Sequence, residues 1–220
     1  MEYKSILNNA HILLAGTTGS GKSTALHSLI YEGVKAYNHN VFSFYLIDLK
    51  RVELQEWASI PHCKGLAKTI QEATKLLDNA IHIMERRYKE IEAARLKECR
   101  YTHLFVIIDE LADLIAVGGK PIIEKIARIG RLGRAAHIHL ILATQSPDRR
   151  TLPAVIQQNI TFCIALRCKT TIESRQVIGI AGAEKLNIGQ ALTFGTQGFQ
   201  IISIPYYSPQ QREEVRKIAQ

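Results

Sequence analysis

The sequence has no hydrophobic run long enough to span a bilayer. A membrane helix needs about 18 or more consecutive apolar residues, whereas His11–Ala15, Leu104–Ile108 and Ile138–Ala143 end after a handful. Nor does the start read as a secretory leader. Met1 to Asn9 carries one Lys and one Glu, and the apolar run behind it stops at a glycine-rich turn. The reading is a soluble, cytoplasmic protein with no membrane span of its own. There is no CxxC pair either: the four cysteines, Cys63, Cys99, Cys163 and Cys168, are scattered. That excludes the usual zinc or dithiol centre and leaves buried free thiols in a reducing compartment. The eight histidines are equally dispersed, with no metal constellation among them. Ser/Gly linkers, repeats and low-complexity tracts are missing as well, so residues 1–220 read as one compact domain.

What is present fits an ordinary α/β domain. Of 220 residues, 46% are hydrophobic and 22% charged, enough for a well-buried core. The formal charge of +8 points to a polyanionic partner, nucleic acid first and an anionic membrane surface second. Along the chain, apolar runs of strand length alternate with longer segments of helical period, the pattern of a mostly parallel sheet flanked by helices. Strands are expected at His11–Ala15, Val41–Asp48, Leu104–Ile108, Ile138–Ala143, Ile160–Leu166 and Phe199–Ile204. Helices are expected at about Lys22–Tyr37, 69–98, Ile122–Ala136 and Ser208–Ala219, with short helical pieces before the last strand.

The residues Gly16-Thr17-Thr18-Gly19-Ser20-Gly21-Lys22-Ser23 fit GxxxxGK[ST], between an apolar strand and a helix start. A polyphosphate needs donors that approach closely, and glycines let backbone N–H groups converge on it. The helix N-terminus adds the positive end of a dipole. Lys22 is expected to reach the β- and γ-phosphates of ATP, and Ser23 to bind Mg²⁺ through its hydroxyl. Thr24 closes the nucleotide-binding run.

The strand Leu104–Ile108 ends in Asp109-Glu110, which puts two carboxylates at the edge from which the phosphate loop also emerges. Asp109 is the expected partner of Mg²⁺. Glu110 is the expected base or orienter of the attacking water, which a hydrolase needs. The next strand ends in Thr144-Gln145, and Gln145 reads either as a cap or as a sensor of the γ-phosphate. Arg128, Arg131 and Arg134, at i, i+3 and i+6 of one expected helix, share a flank. They are a solvated basic face, or one of them supplies transition-state charge to a neighbouring subunit's ATP.

Taken together, His11–Thr24 (HILLAGTTGSGKST), Leu46–Leu54 (LIDLKRVEL), Met84–Tyr88 (MERRY), Ile107–Leu114 (IIDELADL), Arg134–Gln145 (RAAHIHLILATQ) and Gly182–Leu186 (GAEKL) resemble the motor domain of FtsK/SpoIIIE-type DNA translocases. The resemblance runs from about residue 11 to 204 and implies a RecA-like P-loop NTPase fold. It also implies assembly as a homo-oligomeric ring, usually a hexamer, and ATP-driven pulling of double-stranded DNA through its pore. By position, Lys22 and Ser23 match Walker A, Asp109 and Glu110 Walker B, Arg134 the arginine finger and Gln145 the polar residue ending the ATQ strand.

The sequence departs from the family pattern in places. Leu49 stands where the family's DPKRVEL has proline, and His137 replaces the glycine of RAAGIH. Ser146-Pro147-Asp148 replaces RPS, Glu173 the aspartate of DSR, and Gly189-Gln190-Ala191-Leu192 replaces GDML. Arg149 and Arg150 are either a pore-facing basic loop or an exposed charge pair. The membrane anchor, linker, preceding subdomain and winged helix of full members are expected to be absent, which suits a plasmid, phage or conjugative element, or a piece of a longer protein. Two other functions fit the same motifs: a motor for protein secretion, and a nucleotide-dependent DNA-binding regulator that moves nothing.

Overall fold

The uninterrupted apolar runs become the inner strands of an eight-stranded sheet. The structure, a computed structural model, describes residues 3–95, 101–145 and 151–219. Its strands are β1 (His11–Ala15), β2 (Phe42–Ile47), β3 (Cys63–Ala67), β4 (His103–Ile108), β5 (Ile138–Thr144), β6 (Phe162–Ala165), β7 (Gln190–Gly195) and β8 (Gly198–Ser203). They lie in the order β3-β2-β4-β5-β1-β6-β7-β8. The first six are mutually parallel, and β7 runs against both β6 and β8. The helices are α1 (Lys22–Ala36), α2 (Ile70–Ala94), α3 (Leu111–Leu132), α4 (Ala154–Gln157), α5 (Thr171–Ile178) and α6 (Pro209–Ile218).

Each inner strand is apolar on both faces because helices cover both. Leu13, Val106, Ile108, Leu140 and Leu142 face the core shared with α2, α3 and α5. Their alternate neighbours Ile12, Leu14, Ile107, Ile141 and Ala143 face the core shared with α1 and α6. The mostly parallel sheet flanked by helices is as expected.

Several local expectations are corrected. β3 and β7 are missing from the six expected strands. β3 is an edge strand containing Lys64 and Gly65, and three of its five residues are only half-buried. β7 joins β8 through the two residues 196 and 197, so neither gives a long apolar run. α3 begins at Leu111 with a segment that was not expected, and its second segment, past the break at Gly119, begins close to the expected start at Ile122. Its period is interrupted by a kink at Gly119 (φ 58°, ψ −150°) beside Pro121. It also ends at Leu132 rather than Ala136, so Arg134 does not share a helix with Arg128 and Arg131. Cys63, Cys163 and Cys168 are free, and burial pushes the thiols of Cys163 and Cys168 up to about 11. Cys99, Ser146-Pro147-Asp148, Arg149 and Arg150 lie outside the described residues. Among the described residues no helix is long and apolar enough to cross a membrane.

Candidate active site

Register brings the site together. β5 lies between β4 and β1, with Ile108 opposite Leu142 and Ala15 opposite Thr144. The glycine loop, the acidic pair and Gln145 therefore leave one edge of the sheet side by side. The loop is tied down by backbone bonds: Gly16 N–H donates to Thr144 O (3.3 Å), Thr17 N–H to Arg167 O (3.3 Å) and Ser20 N–H to Thr17 O (3.0 Å). Gly19 (φ 77°) and Gly21 (φ 96°) sit in the left-handed region. A side chain at either would be strained there, and the turn would not close over a phosphate.

Two features fit a polyphosphate. The N-termini of α2, α5 and α6 are capped by the side chains of Thr69, Thr170 and Ser208, whereas α1 has no side-chain cap. Its first N–H groups, with the positive dipole end, face the loop. Ser20 Oγ is buried there without a hydrogen-bond partner. A phosphate oxygen is a suitable acceptor for both.

Lys22 connects the two motifs. Its Nζ donates to Asp109 O (2.7 Å) and Asp109 Oδ1 (2.9 Å) and lies 4.0 Å from Glu110 Oε2. All three residues are buried. Two carboxylates with one ammonium leave the cluster one negative charge in excess, and hard oxygen donors of that charge suit a divalent cation such as Mg²⁺. Ser23 is the second residue of α1, directly after Lys22.

Glu110 is held from the neighbouring strand. Thr144 Oγ1 donates to Glu110 Oε1 (2.8 Å), and Gln145 N–H lies 3.2 Å from each carboxylate oxygen. The side chain of Gln145 accepts from Thr18 Oγ1 (2.7 Å), which links the acidic pair to the phosphate loop. Gln145 is thus a connection between the two motifs, not merely the end of a strand. Sequence reasoning gave Thr144 no role. The available signal was a polar residue fully buried at the end of an apolar strand, and burial is not visible in a sequence.

Asp48 explains much of the Leu46–Leu54 segment. Its buried carboxylate accepts from the backbone N–H groups of Arg51 (2.8 Å), Glu53 (3.0 Å) and Leu54 (3.0 Å). This folds the loop after β2 so that Lys50 pairs with Asp113 on α3 at 3.0 Å. The hydrogen bond to Asp113 holds the Lys50 ammonium above its ordinary pKa.

Arg134 is not brought to this site. It lies exposed in the turn between α3 and β5, at the amino edge of the sheet. The seven residues of β5 separate it from Gln145, which is about 20 Å at ~3.3 Å per residue. Arg128 is paired with Glu85 of α2. Four of the eight histidines, His11, His103, His137 and His139, lie together at the amino edge. His103 stacks on His139 with centroids 5.0 Å apart and lies tilted against His137 at 4.5 Å, and His139 Nδ1 lies 3.0 Å from Ala10 O. Burial holds His139 down to about 3 and His11 down to about 4.

The model of the FtsK/SpoIIIE family matches residues 1–103 and 91–149. The chain is 35% identical over 201 residues to a DNA translocase FtsK of Tropheryma whipplei, covering 82% of this chain and 27% of that protein. It is 36% identical over 196 residues to the FtsK of Staphylococcus epidermidis, covering 80% and 25%. The chain thus spans about a quarter of the length of these curated relatives. Among solved structures it is similar to the pCW3 conjugation coupling protein TcpA, a monomer form with ATPγS. That match has a TM-score of 0.84 at 23% identity and covers 96% of this chain and 65% of that one. It is also similar to the cytoplasmic domain of the Type VII secretion ATPase EccC of Thermomonospora curvata, with TM-score 0.82, 25% identity, and coverage of 96% and 28%.

Proposed function

The chain belongs to the FtsK/SpoIIIE family and is a P-loop ATPase, and on that premise we propose that it is a single motor unit that hydrolyses ATP to move double-stranded DNA. The observation that carries the reading is the grip on Glu110. A carboxylate fixed by Thr144 and Gln145, next to a lysine from the phosphate loop, has the orientation a hydrolase gives to an attacking water.

The roles follow from that geometry. The backbone N–H groups that the loop does not use internally, those of Thr18, Gly19 and Gly21 to Thr24, with the uncapped start of α1, bind the phosphates. Lys22 moves its charge from Asp109 to the β- and γ-phosphates when ATP arrives. Ser23 and Asp109 would hold Mg²⁺, which when bound would neutralise charge on the phosphoryl oxygens. Glu110 orients the water and takes up its proton. Gln145, bonded to Thr18, reports the γ-phosphate to β5.

Arg134 serves a neighbour's nucleotide. At about 20 Å from its own site along β5, it can supply transition-state charge only across a subunit boundary. That role requires an oligomer, and we infer a hexameric ring of this chain around the duplex.

DNA is favoured over polypeptide as cargo by the FtsK relatives and by the formal charge of +8. The likeness to the secretion ATPase EccC keeps polypeptide as the competing cargo. ATP-dependent displacement of a triplex-forming strand from duplex DNA tests the proposal. Displacement is expected, weakening steeply with salt as phosphate contacts are screened, and Glu110→Gln should abolish it. Hydrolysis without displacement would point instead to the non-translocating regulator, and stimulation by polypeptide alone to the secretion motor.

A further inference from the structure

The Met84–Tyr88 segment of α2 lies far from the phosphate loop, yet two of its side chains grip the turn that carries Arg134. Tyr88 Oη donates to Leu132 O (2.6 Å), just before the turn. Arg87 Nη1 donates to Ala136 O (2.7 Å) and reaches His137 O (3.4 Å), just after it. The turn closes on itself through Ala136 N–H to Gly133 O, His137 N–H to Arg134 O and Ile138 N–H to Gly133 O. Arg134 is therefore held between two anchor points on one rigid helix.

Arg87 is an expensive way to make such an anchor. It is 7% exposed, its Nε has no partner, and burial lowers its pKa. Among the described residues it has no carboxylate within ion-pair distance; its contacts are the two carbonyls and the ring of Tyr101, 4.8 Å away. A buried charge without a counter-ion is poor stabilisation compared with an apolar side chain of equal length. What the guanidinium offers that an apolar chain does not is directional donors to carbonyls flanking Arg134. The neighbouring Arg86 points outward and pairs with Glu90.

We propose that Arg87 and Tyr88 are positioning residues that set Arg134 for the neighbouring subunit's nucleotide. This rests on the reading of Arg134 as a residue acting in trans. Its distinctive consequence is that a defect at Arg87 impairs the neighbour's site and leaves the subunit's own site intact.

The test uses Arg87→Met, which keeps the apolar stem, and Tyr88→Phe, which removes one hydroxyl in case the first variant fails to fold. Turnover is expected to fall about tenfold or more for Arg87→Met and several-fold for Tyr88→Phe, roughly the weight of the hydrogen bonds lost. ATP affinity should be unchanged. Each variant is then mixed with Glu110→Gln subunits, which do not hydrolyse but carry an intact Arg134 turn. Turnover is expected to recover, because the variant's own sites now meet a correctly held Arg134. Full turnover in both unmixed variants, or a loss that mixing does not restore, overturns the proposal. Arg134→Ala run in parallel separates the two ideas. If it keeps full turnover, the role of Arg134 in trans is wrong. If it is inactive and rescued by mixing while Arg87→Met is not, only the clamp is wrong.

Discussion

Replacing Thr144 by valine removes one hydroxyl from the end of β5 and preserves the branched shape that fills its fully buried position. The hydroxyl donates to Glu110 Oε1 at 2.8 Å. A hydrogen bond to a charged group contributes roughly 1.5–3 kcal/mol, and each 1.4 kcal/mol of barrier is about tenfold in rate. If all of that bond serves to orient the carboxylate, turnover drops by about ten- to a hundredfold. Gln145 N–H still lies 3.2 Å from each carboxylate oxygen, so Glu110 is not released altogether, and we expect a loss near tenfold. Thr144 does not belong to the phosphate loop, so the loss should appear in kcat with ATP affinity unchanged. Steady-state ATP turnover and equilibrium binding of a fluorescent nucleotide read the two separately. Thr144→Ser, which keeps the donor, should retain most of the activity. A valine variant with normal kcat, or one whose defect lies in binding alone, would refute the role given to the Glu110 orientation.

Two further predictions concern the amino edge of the sheet. His137 has φ 53°, in the left-handed region where a glycine is relaxed. His137→Gly should therefore be more stable than His137→Ala by about 1 kcal/mol in chemical denaturation; an alanine variant equal to or better than glycine would contradict the strain. His11 and His139 have pKa values lowered by burial from 6.5 to about 4 and about 3. The unfolded chain then binds more protons than the fold below neutrality. Stability is complete above about pH 6.5 and is lost as pH falls towards 4, by about 2 kcal/mol for each group between pH 7 and 5. Thermal midpoints should drop over that interval, and a flat profile would show that these imidazoles are not held neutral.

The parts of this molecule legible in its sequence are those whose physics is local. A phosphate loop needs its glycines and lysine consecutively, and a central strand covered on both faces must be apolar throughout, so β1, β4 and β5 and the residues at their ends could be read directly. β3 and β7 could not, because a short or half-exposed strand has no run to recognise. The first segment of α3 was hidden because it is short and ends at the break of Gly119, two residues before Pro121, so only the segment beyond the break shows a helical period. Arg134 looked helical because Arg128 and Arg131 precede it at the right spacing, yet the chain turns at Gly133. Lys22 binding Asp109, Thr144 binding Glu110 and Arg87 gripping Ala136 join residues 34 to 87 positions apart. Such contacts exist only once the order β4-β5-β1 is set, as does the clustering of His103, His137 and His139.

An arginine that acts only on a neighbour makes hydrolysis a property of the assembly and not of the isolated chain. The direct measurement is ATP turnover per subunit as a function of protein concentration, with and without duplex DNA at low salt. The account predicts a specific rate that climbs with concentration and climbs further when DNA is added. A specific rate that is the same at every concentration and indifferent to DNA would contradict it.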